Sequence, residues 1–304
     1  MKYKKIGRNN INVSAIGLGT HQFGGDWGID FSQKTVDSII SGAFQNGVNL
    51  IDTAACYGPN HLSEKLIGSS IKDNRDDWVL ATKFGQSYDN STRKEKSDFT
   101  LKTVKKQFEK SLKYLKTDYI DIYQFHSGSN SDFHNEELWA YLNKQVDKGR
   151  IDNLGLSFAH GLVANDDYYQ LENLDTFGIN IVQLLYNKLT PVSENYFIPY
   201  CEKKGIDVLS RVPLAKGFLS GKYSPGHIFS KSDHRYKFGN KMNDELLEKV
   251  EKISKKEFGD NVSMSQWAIN WCLENSGISS VIVGAKNRDQ IISNSKSVLN
   301  SAKK

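Results

Sequence analysis

Residues that create special structures are scarce in this 304-residue sequence, which has only three cysteines, three methionines and five prolines. The cysteines, Cys56, Cys201 and Cys272, lie far apart, and none forms a CxxC pair. This spacing argues against a disulfide framework and against a zinc site. No HExxH motif or cluster of carboxylates is present either, so the sequence predicts no metal centre.

Long apolar segments are also missing. No window approaches about 18 consecutive apolar residues, so the sequence predicts no membrane-spanning helix and no membrane partner. The first ten residues, MKYKKIGRNN, contain no apolar core of the kind that a signal peptide needs. We therefore expect a cytoplasmic location.

The excess of positive charge is small, since 40 lysines and arginines face 35 aspartates and glutamates, for a net charge of +5. Lysines do recur along one helical segment, at positions 102, 105, 106, 110, 113 and 116. A nucleic-acid surface would combine such a charged stripe with a recognisable binding module. No such module or interleaved aromatic stripe is found, so we interpret the lysines as solvated helix faces and expect no nucleic-acid partner.

The sequence predicts an N-terminal hairpin with its turn at Asn9-Asn10. After this hairpin, two types of segment alternate along the chain. Short apolar segments rich in β-branched residues are typical of buried strands, and the longer segments between them have helical spacing. The apolar segments number eight: SAIGLG at 14–19, VNLI at 48–51, WVLAT at 78–82, YIDIYQF at 119–125, DNLGLS at 152–157, INIVQL at 179–184, IDVLS at 206–210 and SSVIV at 279–283.

Eight strand–helix units in one chain predict an α/β fold, a parallel (β/α)8 TIM barrel in which residues 1–304 form a single domain. A long polar segment at 224–242 predicts an extended loop after the seventh strand. The alternative is an open doubly wound sheet that binds a dinucleotide through GxGxxG. In GLGTHQFGG, at 17–25, Gln22 stands where the third glycine belongs, so we interpret that fingerprint as absent.

Four ionisable residues follow three consecutive predicted strands. Asp52 and Tyr57 come after the second strand, Lys83 after the third and His126 after the fourth. In a (β/α)8 barrel the carboxyl ends of the strands carry the chemistry. Each residue alone could cap a turn or lie in the core, but matching positions on neighbouring strands favour one shared site. These positions predict an active site at the barrel mouth.

The four residue types suit proton transfer to a carbonyl oxygen. A free tyrosine has a pKa of about 10, and a nearby ammonium favours the phenolate and lowers that value. We therefore expect Lys83, held by Asp52, to lower the pKa of Tyr57, and His126 to donate a hydrogen bond to the substrate oxygen. Side chains cannot supply a hydride, so such a reaction needs a cofactor.

Eight motifs occur in an order and spacing that resemble the aldo-keto reductase family over essentially the whole chain. They are GLGTHQFGGDWG (17–28), LIDTAACYG (50–58) with SEKLIG (63–68), LATKFG (80–85), DIYQFH (121–126), GLSF (155–158), VQLLYN (182–187), VPLAKGFLSGKY (212–223) and IVGAKNRDQIISN (282–294). The resemblance implies a barrel that reduces aldehydes and ketones with a nicotinamide cofactor. It implies a catalytic tetrad of Asp52, Tyr57, Lys83 and His126, with Tyr57 as the general acid.

The same resemblance implies a set of cofactor contacts. Ser157 and Gln183 match residues that hold the nicotinamide carboxamide, while Phe158 stands where the family has Asn; Tyr186 matches the aromatic residue that stacks on the nicotinamide. Further contacts are implied along the dinucleotide: Gly19, Thr20, Ser210, Arg211, Pro213, Leu214, Lys216, Leu219, Gly284, Lys286, Arg288, Gln290 and Asn294. Arg211 lies where relatives often have tyrosine, and we expect it to reach the phosphates.

The cofactor and the substrate are predicted less sharply. By the same resemblance, Lys286 and Arg288 are cations near the place where a ribose 2′-phosphate would lie, which favours NADP(H), with NAD(H) possible. By resemblance Trp27 and Phe84 line an apolar pocket for a small-molecule carbonyl substrate. Three alternatives stay open at this point: an NAD-linked sugar or polyol dehydrogenase, a nicotinamide-binding regulatory subunit with slow turnover, and, more remotely, a barrel lyase or isomerase. The sequence does not predict an oligomeric state.

Overall fold

Eight parallel strands close into a barrel in the computed structural model, which confirms the predicted fold. The structure describes residues 1–25, 29–92, 94–159, 161–162, 165, 167–231, 233–257 and 263–297. The strands are β1 Tyr3–Ile6, β2 Ile11–Ser14, β3 Ile16–Gly19, β4 Leu50–Asp52, β5 Val79–Phe84, β6 Gln86–Asp89, β7 Lys94–Ser97, β8 Ile120–His126, β9 Ile151–Ser157, β10 Ile179–Leu185, β11 Asp207–Arg211 and β12 Ile278–Gly284. Around the barrel the strands follow the order β10, β11, β12, β3, β4, β5, β8 and β9.

Helices cover the outside of the barrel. They are α1 Gln33–Gln45, α2 Leu62–Ile71, α3 Leu101–Leu115, α4 Asn130–Phe133, α5 Glu136–Asp147, α6 Tyr169–Glu172, α7 Phe197–Lys204, α8 Asn240–Glu257, α9 Met264–Leu273 and α10 Arg288–Ser295. Six of them begin behind a side-chain oxygen that accepts a backbone N–H of the first turn, and the residues that supply it are Ser32, Thr100, Ser129, Asn135, Ser263 and Asn287. No helix in the described ranges is long and apolar enough to cross a bilayer.

Alternation along the strands divides the barrel interior into two layers, because successive strand residues point to opposite faces. The lower layer is apolar and contains Leu50, Val79, Ala81, Ile122, Ile181, Leu209 and Ile282. The next inward positions, two residues further along β4, β8 and β10, carry Asp52, Gln124 and Gln183. Their side chains hydrogen-bond to one another across the interior. The polar layer therefore lies above an apolar floor.

The hairpin β1–β2 closes the lower end of the barrel. Its four-residue turn runs from Gly7 to Asn10, because Ile6 pairs with Ile11. The Gly7 N–H donates to Asp207 Oδ2 at 2.8 Å, and the Arg8 N–H donates to Asn153 Oδ1 at 2.9 Å. The predicted hairpin is therefore present, and it leaves the opposite end of the barrel open for a site.

A second hairpin, β6–β7, follows β5 directly and was not predicted. Its strands pair antiparallel from Gln86 with Ser97 to Asp89 with Lys94. Gly85 starts the hairpin at φ +91°, and a side chain there would collide with the ring of Phe99. The loop after β11, which was predicted, contains two short 3₁₀ segments, Ala215–Ser220 and His234–Phe238.

Candidate active site

Asp52, Tyr57 and Lys83 meet at the carboxyl ends of β4 and β5. The Lys83 Nζ donates to Asp52 Oδ2 at 2.7 Å, to the carbonyl of Thr53 at 2.7 Å and to the phenol oxygen of Tyr57 at 3.2 Å. Lys83 and Asp52 are almost fully buried. Because water hardly solvates them there, each charge depends on the other for compensation. Because the phenol oxygen accepts from Lys83, its own proton is available to another acceptor.

His126 and His21 flank the Tyr57 ring. The His126 ring lies edge-on to it with the ring centres 6.0 Å apart, and the His21 ring does so at 4.8 Å. His126 Nδ1 faces the thiol of Cys56 at 3.6 Å. The four residues of the predicted tetrad are therefore brought to one place.

A glutamine pair extends this cluster across the barrel. The side-chain amides of Gln124 and Gln183 both donate to Asp52 Oδ1, at 3.1 and 2.8 Å. Gln124 was not predicted as a site residue, although its position two residues before His126 on the same strand places it on the same inward face. Gln183, expected at the nicotinamide carboxamide, here fixes the carboxylate of Asp52.

Two more neighbours of Tyr57 were not predicted. The Cys56 thiol lies 3.6 Å from Glu95 Oε1, and Glu95 belongs to the unpredicted hairpin β6–β7. Burial, followed by the charge of Glu95, raises the pKa of the Cys56 thiol well above its ordinary value. Residues 86–97, QSYDNSTRKEKS, form an almost continuous polar segment without the alternation that would have predicted this hairpin, which brings a carboxylate towards the mouth.

Burial dominates the protonation of the tetrad. The pKa of Tyr57 lies well above its ordinary value, through burial and then through the charge of Asp52. The expectation that Lys83 lowers the pKa of Tyr57 is corrected here, because Asp52 neutralises the ammonium beside the phenol. Burial also lowers the pKa of Lys83 and lowers that of His126 well below its ordinary value. Tyr57 is therefore a protonated phenol and His126 a neutral imidazole at neutral pH.

A close backbone contact positions Tyr57. Gly58 has φ +81°, and a side chain there would lie 2.6 Å from the carbonyl oxygen of Gly24. A side chain on Gly24 would in turn lie 2.6 Å from the Gly58 nitrogen. The 3₁₀ segment His21–Gly24 and the turn after β4 can approach this closely only because both residues are glycine.

The ends of β9 and β11 place a cation opposite the tetrad. Arg211 Nη2 donates to the backbone carbonyl of Phe158 at 3.1 Å, and its charge lowers the pKa of both Tyr57 and His126, as a minor cause beside burial. The Phe158 ring points outward and packs edge-on against Phe197 of α7. Ser157 is buried beside Phe158 at the end of β9.

Two predicted nicotinamide-side contacts lie outside the barrel wall. The Tyr186 ring packs against Trp271 with ring centres 4.9 Å apart, and its hydroxyl bonds to Glu194 and to Asn275. Ser210 Oγ donates to the Tyr186 carbonyl at 3.1 Å. Neither side chain lies at the barrel mouth. The predicted contacts of Tyr186 and Ser210 with a cofactor therefore stay predictions that the positions of these side chains do not support.

The loop after β11 is strained where it leaves Arg211. Val212, Ala215 and Lys216 have φ values of +59°, +47° and +57°. Left-handed backbone is a real outlier for a β-branched residue and tends to occur at functional sites. Pro213 and Leu219 are buried, Leu214 is half-buried, and the Lys216 Nζ lies 4.6 Å from the centre of the Phe238 ring.

The predicted adenosine-end residues cluster before and within α10. Gln290 Oε1 accepts from the Lys286 N–H at 2.8 Å, and Asn294 is buried on the same helix. Arg288 is turned against α1, where its guanidinium donates to the Ser38 carbonyl at 3.1 Å and to Gln45 Oε1 at 2.5 Å. Of the two predicted phosphate-binding cations, Arg288 is thus engaged within the fold.

The predicted contacts that remain are Gly19, Thr20, Gly284, Phe84 and Trp27. Thr20 is buried and ties β3 to β4 through a hydrogen bond from Oγ1 to the Asp52 carbonyl at 2.9 Å. Side chains on Gly19 or Gly284 would collide with Ile282 and Gln22. Phe84 faces outward, with its ring tilted against that of Tyr123, because strand alternation turns its neighbour Lys83 inward. The prediction for Trp27 lies outside the described residues.

The residues at the mouth fit a dinucleotide. Arg211 Nε is buried and has no hydrogen-bond partner among the residues described, and a buried donor of this kind calls for a ligand group. The charge of Arg211 also contributes to the lowered pKa of Lys216, after burial, so two cations lie near each other at the end of β11. No group of three or more His, Cys, Asp or Glu side chains within the described ranges could hold a metal ion.

Comparisons with known proteins point in one direction. The family model described as "Aldo/keto reductase family" matches residues 15–303. The chain is similar to the aldo-keto reductase YhdN of Bacillus subtilis (strain 168), with 31% identity over 96% of this chain and 87% of that protein. It is also similar to a probable voltage-gated potassium channel subunit beta of Arabidopsis thaliana, with 30% identity over 98% of this chain and 91% of the relative.

A solved structure agrees in fold. The glycerol dehydrogenase AKR11B4 from Gluconobacter oxydans superposes with a TM-score of 0.82 and 25% identity, covering 96% of this chain and 89% of that one. The resemblance stated from the motifs is confirmed by these matches.

Proposed function

Because the chain belongs to the aldo/keto reductase family, whose members are NAD(P)-dependent oxidoreductases of carbonyl and alcohol groups, we propose that it is an NADPH-preferring reductase of aldehydes or ketones that also oxidises the corresponding alcohols. We further propose that residues 1–304 act as one catalytic domain on a small-molecule carbonyl compound in the cytoplasm. The observation that carries the proposal is the contact of Lys83 Nζ with both Asp52 and the Tyr57 phenol, at 2.7 and 3.2 Å.

Tyr57 is the proton donor in this proposal. Its phenol is protonated at neutral pH and its oxygen already accepts from Lys83, so its proton is free to move to a carbonyl oxygen that is becoming an alcohol. The ammonium of Lys83 stabilises the phenolate that remains, and Asp52 with its two glutamine donors holds Lys83 in place. The neutral His126 donates a hydrogen bond that orients the carbonyl. A bound nicotinamide supplies the hydride.

Replacing Tyr57 tests the catalytic role. Tyr57→Phe removes the proton donor and keeps the ring, so carbonyl reduction should fall by about 10² to 10⁴-fold, while the Kd for NADPH stays within about twofold of that of the unmodified enzyme. Steady-state kinetics and fluorescence titration measure the two quantities. Near-normal reduction by a folded Tyr57→Phe protein would remove Tyr57 from the mechanism.

The preference for NADPH depends on Lys286. Its ammonium is the candidate partner of a 2′-phosphate, because the family resemblance places Lys286 at the adenosine end of the cofactor, whereas the Arg288 guanidinium bonds to α1. Lys286→Ala should therefore raise KM for NADPH about tenfold and leave KM for NADH nearly unchanged, since a charge-assisted hydrogen bond contributes roughly 1.5–3 kcal/mol. Arg288→Ala is the matched control and should change both by a similar, smaller factor. Equal losses in Lys286→Ala would show that Lys286 meets no 2′-phosphate.

An NAD-linked sugar or polyol dehydrogenase is the second candidate. The engagement of Arg288 within the fold favours it, because one of two expected phosphate-binding cations is unavailable, and one structural neighbour is named a glycerol dehydrogenase. The ratio of kcat/KM with NADPH to that with NADH, measured over aldehydes, ketones, sugars and polyols at 340 nm, decides between the two. A ratio below one, with polyols as the best substrates, would favour this second candidate.

A further inference from the structure

Two contacts fix Arg211 at the barrel mouth, one made by its own side chain and one by the backbone of the next residue. On one side its Nη2 donates to the Phe158 carbonyl at 3.1 Å, across the ends of β9 and β11. On the other side the next residue, Val212, has φ +59°, and its carbonyl accepts from Asn187 Nδ2 at 3.0 Å. The strained backbone at Val212 thus directs the side chain of the preceding residue, Arg211, into the mouth.

The direction of Arg211 follows from strand alternation. Leu209, two residues earlier on β11, belongs to the apolar floor of the barrel, and the side chain of Arg211 points the same way one layer higher. Ser210 between them points outward, to the Tyr186 carbonyl. Arg211 therefore faces the tetrad from the opposite wall.

Among the residues that the structure describes, Arg211 forms no ion pair with a carboxylate, whereas the other charges of this cluster are paired or absent. Lys83 and Asp52 form an ion pair at 2.7 Å, and burial keeps His126 neutral. Glu95 reaches the edge of the cluster at Cys56, but it is exposed on the hairpin β6–β7. Lys216 adds a second positive charge near Arg211. The mouth is therefore electropositive on the side of β11.

We propose that Arg211 makes the site select the oxidation state of the nicotinamide, so that it binds the reduced cofactor more tightly than the oxidised one. The inference depends on the proposed function, because it assigns a nicotinamide to this mouth. A hydride donor must reach the carbon whose oxygen bonds to Tyr57, so a bound nicotinamide ring would lie beside the tetrad that Arg211 faces. The oxidised ring carries a positive charge and the reduced ring is neutral.

Electrostatic repulsion supplies the selectivity. Two positive charges that lie close together repel each other at the effective dielectric constant of about 20 that suits protein sites. We expect reduced cofactor to bind at least about tenfold more tightly than oxidised cofactor for this reason. For a two-electron couple, a tenfold ratio corresponds to about 30 mV towards the reduced form. Arg211 would thereby favour withdrawal of hydride from an alcohol on the enzyme.

Binding measurements without substrate test the proposal. Calorimetric Kd values are compared for NADP⁺ and NADPH, and for NAD⁺ and NADH, in the unmodified protein and in Arg211→Gln and Arg211→Lys. Gln removes the charge and can still donate to the Phe158 carbonyl, whereas Lys keeps the charge. Arg288→Gln is the matched control, since it removes a guanidinium near the end of the cofactor that both oxidation states share. Thermal unfolding confirms that each variant is folded.

Arg211→Gln should reduce the ratio of the oxidised to the reduced Kd by at least about tenfold, while Arg211→Lys and Arg288→Gln keep the ratio. An unmodified protein that binds both states equally would overturn the inference even if Arg211→Gln failed to fold, and so would an unchanged ratio in a folded Arg211→Gln. Failure to bind either dinucleotide would instead refute the proposed function, so the two failures are distinguishable.

Discussion

At the scale of single residues, burial decides protonation in this site more than neighbouring charges do. Tyr57 and Lys83 touch each other, yet burial is the first cause of the raised pKa of Tyr57 and of the lowered pKa of Lys83. Neighbouring charge has a small effect because the Asp52 carboxylate pairs with the Lys83 ammonium at 2.7 Å, and this ion pair has little net charge beside the phenol. The site thus holds its proton donor in the protonated form.

The pH profile of carbonyl reduction follows from these directions. His126, with a pKa well below its ordinary value, stays neutral as the pH falls through about 6.5, so kcat/KM should show no acid limb there. Lys83 loses its proton below its ordinary pKa, so the rate should fall on the alkaline side as the ammonium beside the phenol disappears. Stopped-flow reduction between about pH 5 and 10.5 measures both limbs.

His126→Asn provides the control for this profile. An acid limb centred near pH 6.5 in the unmodified enzyme that vanishes in His126→Asn would show that His126 titrates normally. That outcome would contradict its placement as a buried neutral imidazole. A limb that persists in the variant belongs to another group.

At the scale of elements, the tetrad depends on the fit between two short segments. The 3₁₀ segment His21–Gly24 lies against the turn that carries Tyr57 and Gly58, with no room for a side chain on either glycine. His21, at the start of the same segment, contacts the Tyr57 ring. The loops after β3 and β4 therefore position the proton donor together.

Gly58→Ala tests this fit, with Gly149→Ala as its matched control. Both glycines have positive φ, at +81° and +68°, but a side chain on Gly149 would meet nothing within 4 Å, whereas one on Gly58 would meet the Gly24 backbone. Both variants should lose about 1–2 kcal/mol of stability from backbone strain, measured by urea unfolding. Only Gly58→Ala should lose about tenfold or more in kcat, since small displacements at a reacting centre are costly. Equal kcat values in the two variants would rule out the positioning role.

At the scale of the whole molecule, the barrel separates stability from chemistry. The apolar floor, which includes Ile181, lies below the polar layer of Asp52, Gln124 and Gln183. The hairpin β1–β2 closes the lower end and adds Ile6 and Val13 to that floor. Substitutions in the floor should therefore act on the free energy of unfolding and leave the reaction intact.

Ile181→Ala is expected to lower the free energy of unfolding by about 2–5 kcal/mol, since it opens a cavity in a closely packed layer. Its kcat should stay within about twofold of the original, because the polar layer keeps its hydrogen bonds. Ile228→Ala, at an isoleucine that is 72% exposed, is the control and should change stability by less than about 0.5 kcal/mol. Urea unfolding and steady-state kinetics provide both readouts. A large loss of kcat in a folded Ile181→Ala would show that the two layers are coupled.

The sequence by itself determined the barrel and the meeting of Asp52, Lys83 and His126 at one of its ends. Residues that directly follow neighbouring parallel strands must meet at one end of the sheet. Asp52, Lys83 and His126 lie at or next to such strand ends, so their meeting needed no knowledge of loops. The single-domain assignment and the individual cofactor contacts stay predictions.

Only the tertiary structure decided where the side chains around that tetrad point. Tyr186 turned out to pack against Trp271, Arg288 to bond to α1, and Arg211 to enter the mouth. The hairpin that carries Glu95 likewise emerged only from the fold. The physical reason is that a long side chain beyond a strand end has several rotamers of similar energy. The choice among them is made by hydrogen-bond partners that are distant in sequence, such as the Phe158 carbonyl for Arg211.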